Sequence, residues 1–209
     1  MDALSTLMTV GVISLLAAIS PGPDFFIVVK NSLSYSRKIG LMTACGVSIA
    51  LLVHLSYTLF GLGALIAENA FIAHLLKYAG AGYLFYIGCK GLLASFKPQE
   101  GLELKYAGNV PMISQTAALK QGILTNLLNP KCALFFVSLF SQFIQSDTSL
   151  GLKLAMACVN WFFSLGWFLL LTFLITGNWI TSQIGKFRMV IDRVMGALLM
   201  LLALKIMFT

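Results

Sequence analysis

The feature that most constrains this chain is a succession of apolar runs, each about as long as a bilayer is thick. Residues 40–67 carry no formal charge at neutral pH, and neither do residues 154–180. A helix needs about 20 apolar residues to cross the hydrocarbon core of a membrane. Only 10% of the 209 residues are charged, whereas a soluble domain carries about 25% charged residues. The sequence therefore predicts an all-α integral membrane protein.

Six apolar runs can be separated along the chain, and the first and fourth are interrupted. They cover residues 4–29, 40–67, 70–96, 121–144, 154–180 and 189–208. The first run breaks at residues 20–24 and then resumes, and it lacks the preceding positive residues of a cleaved signal peptide. We therefore predict six transmembrane helices, with spans 1 and 4 broken and the first span uncleaved.

Basic residues are scattered singly between these runs, although the formal net charge is +7. A nucleic-acid-binding surface gathers its Lys and Arg residues on one face, so no nucleic-acid partner is expected. The basic connections are those between spans 1 and 2, 3 and 4, and 5 and 6. Because cytoplasmic loops are rich in Lys and Arg, this pattern places the three connections in the cytoplasm and both termini outside. Lys205, near the C-terminus, runs against the pattern.

The two halves of the sequence resemble each other. The segment GLMTA opens span 2 at Gly40, and GLKLA opens span 5 at Gly151. With three spans in each half, the second copy must enter the bilayer upside down, which is the inverted repeat of many secondary transporters. Chance similarity between two apolar segments is the alternative. The predicted single transmembrane domain consists of repeat one at 1–96, a cytoplasmic loop at 97–118 and repeat two at 119–209.

Proline interrupts spans 1 and 4 at matching places in the two halves. Proline lacks an N–H group and clashes with the preceding turn, so a helix breaks or kinks where it occurs. Pro21, Gly22 and Pro23 must unwind span 1, and Pro130 is expected to do the same to span 4 less drastically. Unwound backbone at membrane depth is tolerated only where protein or a water-filled cavity satisfies its polar groups. The exposed ends of the half-helices are then ready sites for cations and anions.

Asp24 and Lys131 directly follow the span-breaking prolines. A charge at the centre of a span costs about 2.5–3.5 kcal/mol, so it is functional by default and requires a partner. We expect the two residues either to pair or to divide a zwitterionic ligand, Asp24 taking an ammonium group or a proton and Lys131 a carboxylate. Two structural alternatives stay open. Asp24 could cap the second half-helix, and Lys131 could extend to the membrane interface.

Other polar and small residues have more than one interpretation. Ser20, Asn126 and Asn129 flank the breaks, where each could bind a ligand or satisfy the broken backbone. His54 stands alone in span 2 and is expected to have a hydrogen-bonded packing role. Small residues in span 3 are expected to let helices approach closely. These are Gly80, Gly82 and Gly88.

The sequence lacks the motifs of an enzyme. It has no G-x-x-x-x-G-K-[ST] phosphate loop, no H-E-x-x-H and no evident Ser/His/Asp set. We therefore predict no catalytic residue, no metal and no cofactor, and transport that is passive or coupled to a gradient. The cysteines form no C-x-x-C pair and are expected to be buried free thiols that act as small hydrophobes. They are Cys45, Cys89, Cys132 and Cys158.

Three segments together resemble the LysE/RhtB family of bacterial amino-acid exporters. The first is SPGPDFF at 20–26, and the second is KQGILTNLLNPKCALFF at 120–136, which is similar to that family's G-x-x-x-N-x-x-N-P-K signature. The third is YAGAGYLFYIGCKGL at 78–92, which is similar to the family's third span. The resemblance therefore extends over nearly the whole chain.

The resemblance implies a multi-pass protein of the bacterial inner membrane that exports small neutral amino acids of the threonine and homoserine type, driven by protons. It leaves the oligomeric state open, a homo-oligomer included. Carried over by position, the first break is formed by Ser20, Pro21, Gly22, Pro23 and Asp24. The second break is formed by Asn126, Asn129, Pro130 and Lys131.

Two alternative functions remain. The first is transport of another small solute or of a cation, although one carboxylate at the breaks is few for a hard cation. The second is a membrane thiol-electron carrier, which needs a cysteine at each broken span. Span 1 has none, and Cys132 stands alone beside the second break.

Overall fold

The computed structural model describes residues 2–62, 70–96, 111–177 and 184–208. Within these ranges every regular element is helical, as predicted. The α-helices are α1 (Ala3–Ile19), α2 (Pro23–Ser34), α3 (Arg37–Tyr57), α4 (Ala70–Ala94), α5 (Gln115–Leu127), α6 (Pro130–Phe140), α7 (Leu150–Ile175) and α8 (Ile184–Met207). A π-helical turn, Thr58–Leu62, continues α3.

Short polar side chains fix where four of the helices begin. A side-chain oxygen of Asp2 accepts a hydrogen bond from the backbone of α1, and serines do the same for α3, α5 and α7. These serines are Ser36, Ser114 and Ser149. Each cap satisfies one of the backbone N–H groups that have no partner in the first turn of a helix.

The helices break where the prolines predict. Helix α1 meets α2 at a bend of 55°, and α5 meets α6 at a bend of 56°. The expectation of a milder second break is therefore wrong. Pro130 is the first residue of α6, and Asn129 caps that helix by accepting a hydrogen bond from the backbone N–H of Lys131 at 3.0 Å. A cap and a proline in succession start a new helix instead of bending an old one.

By length and composition, four candidate spans lie within the described residues. Two are single helices, Arg37–Gly61 and Leu150–Ile175, and two are the bent pairs α1–α2 and α5–α6. Helices α4 and α8, with 25 and 24 residues, are not among the four. Membrane character and a bend at each predicted break are therefore confirmed, whereas the assignment of each bent pair to one span, the total of six spans and the inverted repeat stay predictions.

Helix α3 lies at the centre of the packing, because α2, α5, α6 and α7 all contact it. Two apolar clusters surround the breaks. The larger is built around Leu51, Leu84, Leu139 and Phe140, and the smaller around Phe25, Val47 and Phe168. The broken backbone therefore lies between two dry, well-packed regions.

Glycines set the closest helix crossings. A side chain on Gly46 of α3 would collide with the carbonyl oxygen of Leu119, and one on Gly122 of α5 would collide with that of Thr43. Helices α4 and α8 meet in the same way, since a Cβ on Gly88 would lie 2.7 Å from the carbonyl oxygen of Gly196. Backbone therefore packs directly on backbone at both crossings, the geometry that small residues permit between membrane helices.

The span 3 glycines behave unequally. A Cβ on Gly80 would lie 2.8 Å from the Ser141 hydroxyl oxygen just after α6, so Gly80 and Gly88 have the predicted packing role. Gly82 does not show this role, since no atom of the described residues lies within 4 Å of its Cβ position. Spacing along a helix does not by itself tell which face meets a neighbour.

The substitution Gly122→Ala should destabilise the protein, because the new methyl group can be accommodated only if α3 and α5 move apart. Overpacking of this kind costs about 1–3 kcal/mol, which lowers the melting temperature of the detergent-solubilised protein by several degrees. Gly166→Ala in α7 is the matched control, since its Cβ would meet nothing within 4 Å. Equal melting temperatures for the two variants would contradict the backbone contact.

Candidate functional site

The Asp24 carboxylate reaches across from the first break to the second. Its Oδ2 atom accepts hydrogen bonds from Asn126 Nδ2 at 3.0 Å, from Asn129 Nδ2 at 2.9 Å and from Cys132 Sγ at 3.1 Å. The other oxygen, Oδ1, is buried and has no hydrogen-bond partner in the described part of the chain. The two oxygens of this carboxylate thus differ: Oδ2 accepts from three donors, and Oδ1 has no partner among the described residues.

Asp24 does not have the alternative capping role. The N-cap of α2 is Gly22, and no side chain caps this helix. Asp24 is the second residue of α2, and only 7% of its surface is exposed. Its hydrogen bonds go to residues more than 100 positions away along the chain.

Lys131 makes the reverse crossing, from the second break to the first. Its Nζ atom donates a hydrogen bond to Ser20 Oγ at 3.1 Å. A Cβ added to Gly22 would lie 3.5 Å from the same Nζ atom. The side chain is therefore directed at the first break, and the alternative of a lysine extended toward the interface does not describe its position. Asp24, from the first break, is therefore bonded by residues of the second break, and Lys131, from the second break, is bonded to a residue of the first.

Gly22 provides room at this crossing and not an unusual backbone conformation. Its φ and ψ are −164° and −176°, an extended conformation open to every residue type. A methyl group at this position would come into ordinary contact with the Lys131 side chain. The glycine therefore keeps space open beside the lysine ammonium group.

The two charged residues line one cavity of about 50 Å³. Its polar lining consists of Ser14, Ser20, Asp24, Asn126, Asn129, Lys131, Asn160 and Ser164. Its apolar walls come from both hydrophobic clusters and include Leu51, Phe25, Phe136 and Phe168. A space of this size holds only a few water-sized groups, and most of its accessible surface is apolar.

Most residues predicted for the site line this cavity. Ser20, Gly22, Asp24, Asn126, Asn129 and Lys131 are among its lining residues. Three predicted residues are not, namely Pro21, Pro23 and Pro130. These prolines shape the backbone of the breaks, and they leave the surface of the cavity to their neighbours.

Sequence reasoning missed Asn160, which lies in the middle of α7. Asn160 is 1% exposed, and its Nδ2 atom donates to Ser14 Oγ at 2.6 Å. Its Oδ1 atom has no hydrogen-bond partner among the described residues. One amide in an otherwise apolar span is the only signal in the sequence that could have drawn attention to it.

His54 has the hydrogen-bonded role expected of it, at a more telling place than expected. Its Nε2 atom lies 3.0 Å from the carbonyl oxygen of Asn126, and Nδ1 lies 2.6 Å from the Tyr57 hydroxyl oxygen. Because a carbonyl only accepts, Nε2 is the donor in the contact with Asn126. The imidazole thus gives a second partner to a backbone oxygen at the C-terminal end of α5, which also accepts from the N–H of Asn129.

The cysteines do not all behave as buried hydrophobes. Cys132 contacts the Asp24 carboxylate directly, and Cys158 is exposed on α7. Cys45 and Cys89 are half-buried, and all four thiols are free. The expectation was wrong because it treated the apolar sequence around each cysteine as its surroundings, whereas the packing decides what a thiol meets.

Comparisons with known proteins extend this description. Residues 15–209 match the family described as LysE type translocator. The threonine efflux protein of Escherichia coli strain K12 is 30% identical over 165 residues, which cover 79% of each chain. The uncharacterized membrane protein YrhP of Bacillus subtilis strain 168 is 29% identical over 194 residues, 90% of this chain and 91% of that protein. No solved structure matches the chain.

The family match covers both breaks and every residue predicted for the site from Ser20 onward. Threonine efflux proteins of Salmonella typhi and E. coli are among the relatives, at 28% and 30% identity. Translocators move solutes and leave them chemically unchanged, so this chain is a transporter and not an enzyme, located in the bacterial inner (plasma) membrane. It belongs to the LysE type translocator family.

Proposed function

We propose that this chain exports small neutral amino acids of the threonine and homoserine type from the cytoplasm in exchange for protons. The observation that carries the proposal is the Asp24 carboxylate, which has one saturated oxygen and one open oxygen in a cavity shared with Lys131. The family membership and the relatives named threonine efflux protein support the class of substrate.

A zwitterion fits a cavity whose lining carries one acid and one base. The substrate ammonium group binds at Asp24 Oδ1, and the substrate carboxylate lies toward Lys131. The first residues of α2 line the same cavity, and the N-terminus of a helix favours negative charge because its backbone N–H groups lack partners. Both charges of the ligand are thereby matched, which removes most of the cost of bringing them to membrane depth.

The open oxygen also explains how export is coupled to protons. Asp24 Oδ1 can hold the ammonium group or a proton, but not both together. In the proposed exchange, a proton takes the place of the departing ammonium group at this oxygen. Exchange of the two cations at a single oxygen is the minimal requirement for antiport.

The aromatic walls restrict the substrate side chain. Phe25, Phe136 and Phe168 surround the cavity, and their packing leaves it about 50 Å³, so even a small amino acid binds only when these walls move apart. Larger side chains would have to displace buried rings that belong to the two hydrophobic clusters. Small neutral amino acids are therefore favoured over aromatic or long basic ones.

The function can be tested with purified protein in proteoliposomes, by following efflux of each radiolabelled amino acid with and without an imposed pH gradient. Threonine and homoserine should leave the vesicles fastest, and the pH gradient should drive them against their own concentration gradient. Efflux that ignores the pH gradient would contradict proton exchange.

The substitution Asp24→Asn should abolish gradient-driven efflux, because the amide cannot exchange a proton and offers no charge to the ammonium group. Losing a hydrogen bond to a charged group costs about 1.5–3 kcal/mol, so residual threonine exchange should fall by about tenfold or more. Asp147→Asn is the matched control, since Asp147 is exposed between α6 and α7. Both variants should reach the membrane in normal amounts, and wild-type efflux by Asp24→Asn would refute the coupling role.

The substitution Lys131→Met should raise the KM for threonine by about tenfold or more, since the substrate carboxylate loses its cationic partner. Decarboxylated threonine, 1-aminopropan-2-ol, should compete weakly against wild type and should lose no further affinity in the variant. Lys38→Met removes an exposed lysine of α3 and serves as the control. If the affinities for threonine and 1-aminopropan-2-ol fall equally in Lys131→Met, the lysine does not recognise the carboxylate.

A further inference from the structure

The cavity holds an arrangement of oxygens that the pair of charges does not explain. Three buried side-chain oxygens of its lining residues have no hydrogen-bond partner in the described part of the chain. They are Asp24 Oδ1, Asn126 Oδ1 and Asn160 Oδ1. Buried polar atoms are almost always paired, so three unpaired acceptors on residues that line one cavity indicate that a donor is missing there.

The three oxygens come from three helices that pack together. Asp24 lies on α2, Asn126 on α5 and Asn160 on α7, and α2 contacts both of the other helices. Each side chain is held by a second contact on its other polar atom. Asp24 Oδ2 receives Asn126 Nδ2 at 3.0 Å, and Asn160 Nδ2 donates to Ser14 Oγ at 2.6 Å. The Nδ2 atoms of Asn126 and Asn160 therefore already donate hydrogen bonds, whereas their Oδ1 atoms have no donor.

We infer that Asp24, Asn126 and Asn160 form a three-acceptor site for a primary ammonium group, and that Asn160 determines this specificity. A primary ammonium has three N–H donors, one for each oxygen, whereas each N-methyl group removes one donor and adds bulk. The inference rests on the proposed function and deepens it: the substrates are amino acids with an unsubstituted amino group, and N-methylated ones are rejected.

Asn160 is the informative member of the three. Asp24 and Asn126 contact each other and belong to the breaks, so their substitution disturbs the local backbone as well as the ligand. Asn160 lies within the unbroken helix α7 and is held only by Ser14 of α1 among the contacts described. Asn160→Leu removes the acceptor at similar volume, and Asn160→Asp restores an acceptor at the same position.

The test measures inhibition of L-threonine counterflow in proteoliposomes by threonine, N-methylthreonine and N,N-dimethylthreonine. For wild type, each added N-methyl group should raise the concentration needed for half-maximal inhibition by about tenfold or more, the effect of one lost hydrogen bond to a charged group. Asn160→Leu should weaken threonine by a similar factor and reduce the discrimination against N-methylthreonine to less than about threefold. Asn160→Asp should keep the discrimination, and Cys158→Ala, on the exposed face of α7, should match wild type.

A purely structural role for Asn160 would lower transport of all three compounds equally. Wild-type discrimination by a threonine-transporting Asn160→Leu variant would therefore overturn the inference. Ser14→Ala gives a second variant should Asn160→Leu fold poorly. This substitution removes the hydrogen-bond partner of the Asn160 amide and keeps the amide itself. It should lower the discrimination against N-methylthreonine by a few fold.

A binding measurement separates failure of this site from failure of the proposed function. Methylammonium chloride should raise the melting temperature of wild type more than tetramethylammonium chloride does, and Asn160→Leu should abolish the difference. This result would support the ammonium site even if no amino acid were transported. Equal stabilisation by sodium chloride and methylammonium chloride, lost in Asn160→Leu, would assign the oxygens to a metal cation and overturn the inference.

Discussion

The architecture depends on one requirement: two interrupted helices must have their polar groups satisfied away from water. At the second break the backbone carbonyl of Asn126 accepts from the N–H of Asn129 and has a second partner in His54 from α3. At the first break the serine that ends α1 is bonded by Lys131 from α6. Each interruption therefore has local backbone partners and one further partner from the other half of the chain.

This reciprocity joins stability to function. The asparagines that hold Asp24 Oδ2 also fix the direction in which Oδ1 faces. A carboxylate in water presents two equivalent oxygens, whereas here three donors distinguish them. The same contacts that make a buried charge tolerable also determine where a ligand can bind, so loss of Asn129 would disturb both.

The sequence predicted the features that have a local cause. Proline and a capping residue act within one turn, so the positions of the two breaks could be read from Pro23 and Pro130. A charge in an apolar run is equally visible, which identified Asp24 and Lys131. The sharpness of the second break was underestimated, because Asn129 and Pro130 in succession were not recognised as the cap and first residue of a new helix.

What the sequence could not give was the set of contacts between distant segments. Ser14 and Asn160 are separated by 146 residues and lie in two apolar helices. Neither has a neighbour in sequence that marks it as part of a site, and only helix packing brings them together. The glycines of span 3 were predicted as a group, yet packing uses Gly80 and Gly88 and leaves Gly82 open.

The glycine crossing of α3 and α5 also has a mechanical consequence. Where two backbones touch at Gly46 and Gly122, no side chain can change rotamer to absorb a sliding movement. Sliding of α3 against α5 is therefore opposed at this crossing. The short segments at residues 20–22 and 128–129, where the helices are interrupted, are the places where α2 and α6 could pivot without disturbing it. A segment that pivots at the second break is accordingly about three turns of helix long, the length of α6.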